Sequence, residues 1–195
     1  MRYTLGFQGL IDSDFDYHRI SLNLKQRLKL GAIGRGEYSL TGTKIFGQLP
    51  YPLLNILPGN ETFIRSENTY DLMNFFEFVA DQTVELRYTQ HFDGFLLNRI
   101  PLMRKLKWRM LAGTKMAYGS FNSTNYNIIP ETDSDGNEVT DDFKTLNSGV
   151  PYVEVHYGIE NILRFVRVDF IHRLTYLDSP NIPRWGIKGS LYFSF

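Results

Sequence analysis

The chain has 195 residues, in which 21 Lys and Arg balance 21 Asp and Glu, and it contains no cysteine. Zero net charge argues against a nucleic-acid binder, whose phosphate contacts need a basic excess. The missing thiols exclude disulfides, thiolate metal sites and Cys nucleophiles, and no apolar run reaches the length of a membrane-crossing helix.

A membrane β-barrel stays open, because its strands alternate apolar and polar residues and average out in hydropathy. The amino terminus lacks the charged segment and apolar stretch of a signal peptide and reads as a strand instead. Tyr3, Leu5 and Phe7 there oppose Thr4 and Gln8. The clearest strand follows: Ile20, Leu22, Leu24, Leu28 and Leu30 fall on one parity, and Ser21, Asn23, Lys25, Arg27 and Lys29 on the other. A helix would set Lys25 and Lys29 beside the leucines, so the period is 2. At about 11 residues this segment has the length of a tilted membrane-crossing strand.

The alternation recurs along the chain. Tyr38, Leu40 and Phe46 oppose Glu37, Ser39, Thr41 and Thr43, and Val84, Leu86, Tyr88 and Phe92 oppose Glu85, Arg87, Thr89 and His91. Residues 71–80 between them read either as a short strand or as part of a loop. Trp108, Met110, Ala112, Met116 and Tyr118 then oppose Lys107, Arg109 and Lys115. Val153, Val155 and Tyr157 oppose Glu154 and His156, while Val166, Val168, Phe170 and Leu174 oppose Arg167, Asp169 and Arg173. Trp185, Ile187, Leu191, Phe193 and Phe195 close the series against Lys188 and Ser190. No segment has the pattern of an amphipathic helix.

These features predict an all-β protein, an antiparallel transmembrane β-barrel segment of about eight strands spanning residues 1–195. The strands exceed the usual 5–6 residues of a sandwich, and Tyr, Trp and Phe gather near their ends as interfacial girdles do. The rival is a soluble β-barrel holding an apolar ligand. Connection lengths orient the chain, since periplasmic turns are short and outer loops long. Residues 31–34, 93–105 and 158–161 are the expected inner turns; residues 47–80 and the polar stretch 120–149 are the expected long outer loops.

Lys188, Phe193 and Phe195 resemble the carboxy-terminal signal by which outer-membrane barrels are recognised for insertion, with Ser190 in the glycine place. Leu49-Pro50-Tyr51-Pro52-Leu53-Leu54, Pro58-Gly59-Asn60-Glu61-Thr62 and the run from Leu72 to Asp81 follow one another in a specific order. So do Gly94-Phe95, Arg99-Ile100-Pro101-Leu102, Tyr152-Val153-Glu154-Val155, Gly158-Ile159-Glu160-Asn161-Ile162, Arg167-Val168-Asp169 and Arg173-Leu174-Thr175-Tyr176. Together they resemble the carboxy-terminal barrel of a Gram-negative outer-membrane family whose members carry an amino-terminal carboxypeptidase-regulatory-like domain. A more distant likeness is to the barrels of outer-membrane assembly and two-partner secretion, in which a long outer loop enters the lumen and five strands follow. Residues 47–80 occupy that place, with Pro58-Gly59-Asn60-Glu61 where such loops carry Arg-Gly-Tyr. The resemblance implies outer-membrane localisation, the lipid bilayer as partner, and the barrel-assembly machinery as partner of the last strand. It brings no chemistry, and a periplasmic or surface protein partner is left open.

The polar parity supplies lumen-lining candidates: Lys25, Arg27, Lys29, Glu85, Arg87, Lys107, Arg109, Glu154, Arg167, Asp169 and Arg173. They line a solute path or fill a polar lumen by pairing with one another; an Arg or Lys at the lipid midplane would cost ~2–4 kcal/mol. His156 shares their parity with Asp169, which gives an alternative reading as a rim hydrolase with a general base. Neither G-x-S-x-G nor H-E-x-x-H occurs. Asp133-Ser134-Asp135-Gly136-Asn137 has oxygens at alternate positions but its Gly is misplaced for a calcium loop. The expectation is a non-enzymatic barrel without cofactor or metal, with an anchoring, transport or assembly role. A loop as long as residues 47–80 needs more lumen than eight strands enclose. The strands are therefore expected to be the carboxy-terminal half of a roughly 16-stranded barrel, with the edge at Tyr3 unpaired in this chain.

Overall fold

The computed structural model describes residues 1–6, 16–49, 53–121, 144–146, 149–178 and 182–191. Within them the alternating segments are strands: β1 (Arg2–Gly6), β2 (Tyr17–Lys29), β3 (Arg35–Phe46), β4 (Asn55–Ile56), β5 (Phe78–Ala80), β6 (Gln82–His91), β7 (Arg109–Ser120), β8 (Lys144–Thr145), β9 (Tyr152–Ile162), β10 (Val166–Arg173) and β11 (Trp185–Leu191). Eight of them form one antiparallel sheet in the order β1-β2-β3-β6-β7-β9-β10-β11, so each long strand pairs with the next one along the chain. The short β4, β5 and β8 form a separate small sheet. The residues near 71–80 that the sequence left open therefore end in a short strand, β5, preceded by turns.

Register is continuous over most of the sheet. It runs from His18↔Phe46 to Lys29↔Arg35 between β2 and β3, and from Arg35↔His91 to Lys44↔Gln82 between β3 and β6. Because side chains alternate, this register sorts every residue to one of two faces. Leu22, Leu24, Leu40, Val84, Leu86, Met116, Val153, Phe170 and Ile187 share the first face. Lys25, Ser39, Arg87, Lys115, Glu154 and Arg173 lie in one continuous row across the second. The apolar face is the open one: Leu22 and Leu24 are each 54% exposed, whereas Lys115 is 2% and Glu154 1% exposed. That is the reverse of a soluble half-buried sheet.

Two expected connections differ. Residues 93–105 are not a simple turn but hold a 3-10 turn, Leu97–Arg99, and a short α-helix, α1 (Pro101–Leu106). Pro101 starts this helix, where its missing N–H costs nothing, and Lys107 ends it in the left-handed conformation. Lys107 is thus exposed outside the strands and does not line the polar face. Residues 158–161 are strand, and the turn comes later, at 163–165. The chain reverses there through left-handed backbone at Asn161, Leu163 and Arg164, which the Gly158-centred reading placed too early.

β1 pairs with β2 and β11 with β10, and among the described residues no ladder joins β1 to β11. The outer edge of β11 is covered at one point: Gly189 N–H donates to the Phe63 carbonyl (3.1 Å) and Gly189 O accepts from Arg65 N–H (2.8 Å). The 30–34 turn is closed by Leu30 N–H donating to Gly34 O at 2.8 Å. Gly34 has φ +91°, and a Cβ there would collide with the His91 carbonyl. Gly31 has φ +60° with open space around it. Gly34→Ala is expected to cost about 1–3 kcal/mol, whereas Gly31→Asn changes stability little because Asn tolerates the left-handed region. Urea unfolding followed by tryptophan fluorescence distinguishes the two.

Candidate functional site

The polar face of the sheet is covered by the long connection between β3 and β6, of which residues 47–49 and 53–81 are described. Its shape is set locally. Asn60 Oδ1 accepts from the backbone N–H (3.0 Å) and hydroxyl (2.7 Å) of Thr62, and Asn60 Nδ2 donates to Ile64 O (2.9 Å). Tyr70 N–H donates to Pro58 O (2.8 Å) and Asn60 N–H to Met73 O (2.9 Å), so residues 58–60 and 70–73 run side by side. Near the long-loop end of the sheet this connection buries two apolar clusters. One holds Leu57, Tyr70, Met73, Phe78, Ala117, Leu146 and Tyr152, the other Ile45, Leu49, Leu54 and Val79.

Below those clusters three neighbouring charges of the sheet, Lys115 on β7, Glu154 on β9 and Arg173 on β10, are directly opposite one another in register. The loop satisfies Lys115 entirely and Glu154 and Arg173 in large part. Lys115 Nζ donates to Ser66 O (2.9 Å), Thr69 O (2.6 Å) and Asp71 Oδ2 (2.6 Å), which uses its three donors. Glu154 accepts from the backbone N–H groups of Asp71 (2.9 Å) and Leu72 (2.6 Å) and from the Tyr152 hydroxyl (2.5 Å). Arg173 grips Glu77 with two nitrogens (2.9 and 2.6 Å) and spends its other donors on the carbonyls of Leu72, Thr175 and Tyr176. Its guanidinium also lies 4.8 Å from the Tyr152 ring centre, a cation–π contact.

The remaining candidates divide into groups. Arg167 chelates Asp169 through Nε (2.7 Å) and Nη2 (2.8 Å), and both are buried. Arg87 bonds Glu85 (2.6 Å) on the same strand, and Glu85 also accepts from the Tyr70 hydroxyl (3.1 Å). Burial, reinforced by the Glu85 carboxylate, holds that hydroxyl well above its ordinary pKa, so it stays a donor. Arg109 stands at the short-turn end, 3.5 Å from Asp93, which also receives Arg35 at 3.0 Å. Lys25, Arg27 and Lys29 lie on the polar parity but are exposed, on a part of β2 against which the loop does not pack closely; Arg27 pairs with Glu37 (2.9 Å), and Lys25 reaches the loop at Glu67 (3.6 Å). Lys188 is buried and donates to Asn60 O (2.6 Å); Phe193, Phe195 and the 133–137 loop lie outside the described residues.

His156 and Asp169 share the face but are not hydrogen-bonded to each other. The His156 ring is within 3.4 Å of Thr89 Oγ1 and lies over Gly113, where a Cβ would come within 2.6 Å of Cε1. Asp169 is committed to Arg167. The histidine that does pair with a carboxylate is His91, whose Nδ1 is 2.9 Å from Glu160 Oε2. Among the described residues no group of three or more His, Asp or Glu is placed to hold a metal ion.

The residues that sequence parity missed are those of the loop: Arg65, Tyr70, Asp71 and Glu77 have no strand period to report their burial. The only signal was charged side chains set among aromatics in residues 61–81.

The fold and the packed inner face define an all-β protein, an antiparallel meander whose charged face is filled by its own long loop. The chain belongs to a family of unknown function, DUF5686, whose C-terminal domain model matches residues 1–127. Neither a curated protein nor a solved structure matches it.

Removing one partner of a buried pair leaves the other uncompensated, at about 3–5 kcal/mol. Glu77→Leu is therefore expected to lower unfolding stability on that scale by stranding Arg173. The double change Glu77→Leu with Arg173→Met should cost less than the sum of the two single changes. A double-mutant cycle from urea midpoints checks this.

Proposed function

We propose that the sheet is part of an integral outer-membrane β-barrel, with the apolar face toward lipid and the loop-filled face toward the lumen, and that its role is non-enzymatic anchoring, transport or assembly. The observation that carries this reading is the inversion of the two faces. An ordered sheet exposes Leu22, Leu24, Leu40, Val84, Phe170 and Ile187 while it buries Asp71, Lys115, Glu154, Asp169 and Arg173. Water would penalise the first set and welcome the second; a bilayer outside and a polar interior reverse both preferences.

Two further features agree. β2, β3, β6, β7 and β9 are 13, 12, 10, 12 and 11 residues long, enough to cross hydrocarbon when tilted, for which about 9–11 suffice. Polar tips on the apolar face satisfy one another near the short-turn end: Tyr38 hydroxyl donates to Gln26 Oε1 (2.6 Å), and Tyr88 hydroxyl to Gln90 Oε1 (2.7 Å). Toward the long-loop end Tyr3 stacks on His18, and Lys44 sits over the Phe46 ring. Aliphatic residues lie between, which is the layering of an interfacial aromatic belt.

Among the described residues the outer edge of β1 is unpaired, as is that of β11 apart from the bridge at Gly189, and unpaired edges are not viable in lipid. The barrel is therefore completed by further strands, giving the roughly 16-stranded size that leaves room for an inner loop. The family's description as a C-terminal domain accords with strands supplied from elsewhere. The outer membrane is the proposed location, and the barrel-assembly machinery the proposed partner of the final strand.

Substitution on the two faces tests the reading. Leu24→Arg, on the open face, is expected to abolish folding into lipid vesicles, at a cost of ~2–4 kcal/mol near the midplane. Asn23→Arg, one residue away on the polar face, is expected to fold as wild type. Equal tolerance of both, or a monodisperse protein in buffer without detergent, would overturn the membrane assignment and favour a soluble β-barrel.

A further inference from the structure

A polar cavity of about 130 Å³ lies between loop residues 65–68 and strands β2, β3, β6 and β7. We propose that it binds a small free oxyanion of the phosphate or sulfate class. The inference goes beyond the membrane reading and does not rest on it, since the cavity is lined by the loop and the sheet alone.

Charge balance is the first ground. Arg65, Lys115 and Arg167 all line the cavity, and the three share two carboxylates, Asp71 and Asp169, neither of which lines it. Lys115 takes Asp71 at 2.6 Å and Arg167 takes Asp169 at 2.7 Å. Arg65 is left 3.5 Å from one and 3.7 Å from the other. Arg65 is therefore the one of the three cations without a close carboxylate of its own, while Glu154, beyond Lys115, is taken up by backbone N–H groups and the Tyr152 hydroxyl.

Unused donors are the second ground. Arg65 is only 7% exposed, makes no side-chain hydrogen bond, and its Nε is buried without a partner. Burial depresses its pKa, with the Asp169 carboxylate opposing that effect, so the charge itself is held at a cost. Arg87, also on the wall, donates through Nη2 to Glu85 and Asn68 O and has an unpartnered buried Nε. Arg167 spends Nε and Nη2 and keeps Nη1. A guanidinium carries five N–H donors in a planar fork that matches phosphate oxygens. Water filling the cavity would satisfy hydrogen bonds but would bring no counter-charge to Arg65.

The two carboxylates on the wall, Glu37 and Glu67, face Arg27 at 2.9 Å and Lys25 at 3.6 Å. Size gives the class: the volume far exceeds the about 10–15 Å³ one water needs and falls short of the about 300 Å³ at which drug-sized pockets begin. The position on the charged face, opposite the apolar one, points to an anion in solution and not to a lipid headgroup.

The test uses the purified full chain in a non-ionic, phosphate-free detergent. Sodium phosphate and sodium sulfate are titrated by calorimetry and by thermal melting, against sodium chloride at equal ionic strength. Micelles doped with phosphatidylglycerol form the lipid arm. Saturable binding of phosphate or sulfate over chloride is expected. Arg65→Gln is expected to weaken it at least tenfold. Thr89→Glu, which places a carboxylate in the cavity wall beside Arg65 and Arg87, is expected to abolish it while leaving the anion-free melting temperature at or above that of wild type. If Arg65→Gln fails to fold, Thr89→Glu decides; if neither variant folds, saturation of the unsubstituted chain decides. No saturable effect over chloride, unchanged binding in folded Thr89→Glu, or a response to the lipid phosphate alone would each overturn the proposal.

Discussion

The structure turns on how the loop of residues 53–81 meets the row Lys115, Glu154 and Arg173. These side chains stand next to one another across three strands, on a face that the loop removes from water. A charge in that position is tolerated only when its hydrogen-bonding capacity is filled. The loop fills it with backbone groups at residues 66, 69, 71 and 72 and with the carboxylates of Asp71 and Glu77. The same contacts order the loop, which without them would pay the entropy of fixing a long connection with little regular structure of its own.

That arrangement explains why the apolar core is small and displaced. The two clusters of buried hydrophobics do not lie at the middle of the sheet but near its long-loop end, where Ile45, Ala117 and Tyr152 replace charged residues on the inner face. Tyr152 joins the two regimes, packing edge-on to Tyr70 and Phe78 while its hydroxyl donates to Glu154. Going down the inner face, the packing changes from apolar contact to ion pairs, and at the short-turn end to the half-exposed set Arg35, Asp93 and Arg109. The sheet is thus plugged at one end and charged along its length.

The opposite face carries the complementary constraint. Its exposed aliphatic side chains find no partner element among the described residues, and several of its polar tips bond to one another within the face. On the inner face, the strand gives up a side chain at Gly113, where the imidazole of His156 lies over the backbone. A catalytic histidine needs access and a proton partner; His156 is 2% exposed and meets Thr89, a placement that serves packing.

The sequence by itself determined the strands and their faces. A period of 2 with Leu on one parity and Lys, Arg and Glu on the other specifies which side chains share a surface, because the pleat alternates strictly. It placed Glu85, Arg87, Glu154, Arg167, Asp169 and Arg173 together on one face, and Lys25, Arg27 and Lys29 with them. It misplaced the turn after β9 and missed the helix of residues 101–106, since short segments are decided by a few capping and left-handed residues and not by period. Which of the like-faced charges are buried, and against what, belonged to tertiary structure alone. Lys25 and Lys115 share a row on the same face, yet one is exposed and the other buried, because the loop packs directly on β7 and meets the middle of β2 only across an open cavity, through the exposed Lys25–Glu67 pair. Residues 53–81 have no repeating period, so their partners arise only once the strands have set the charged row on which they dock.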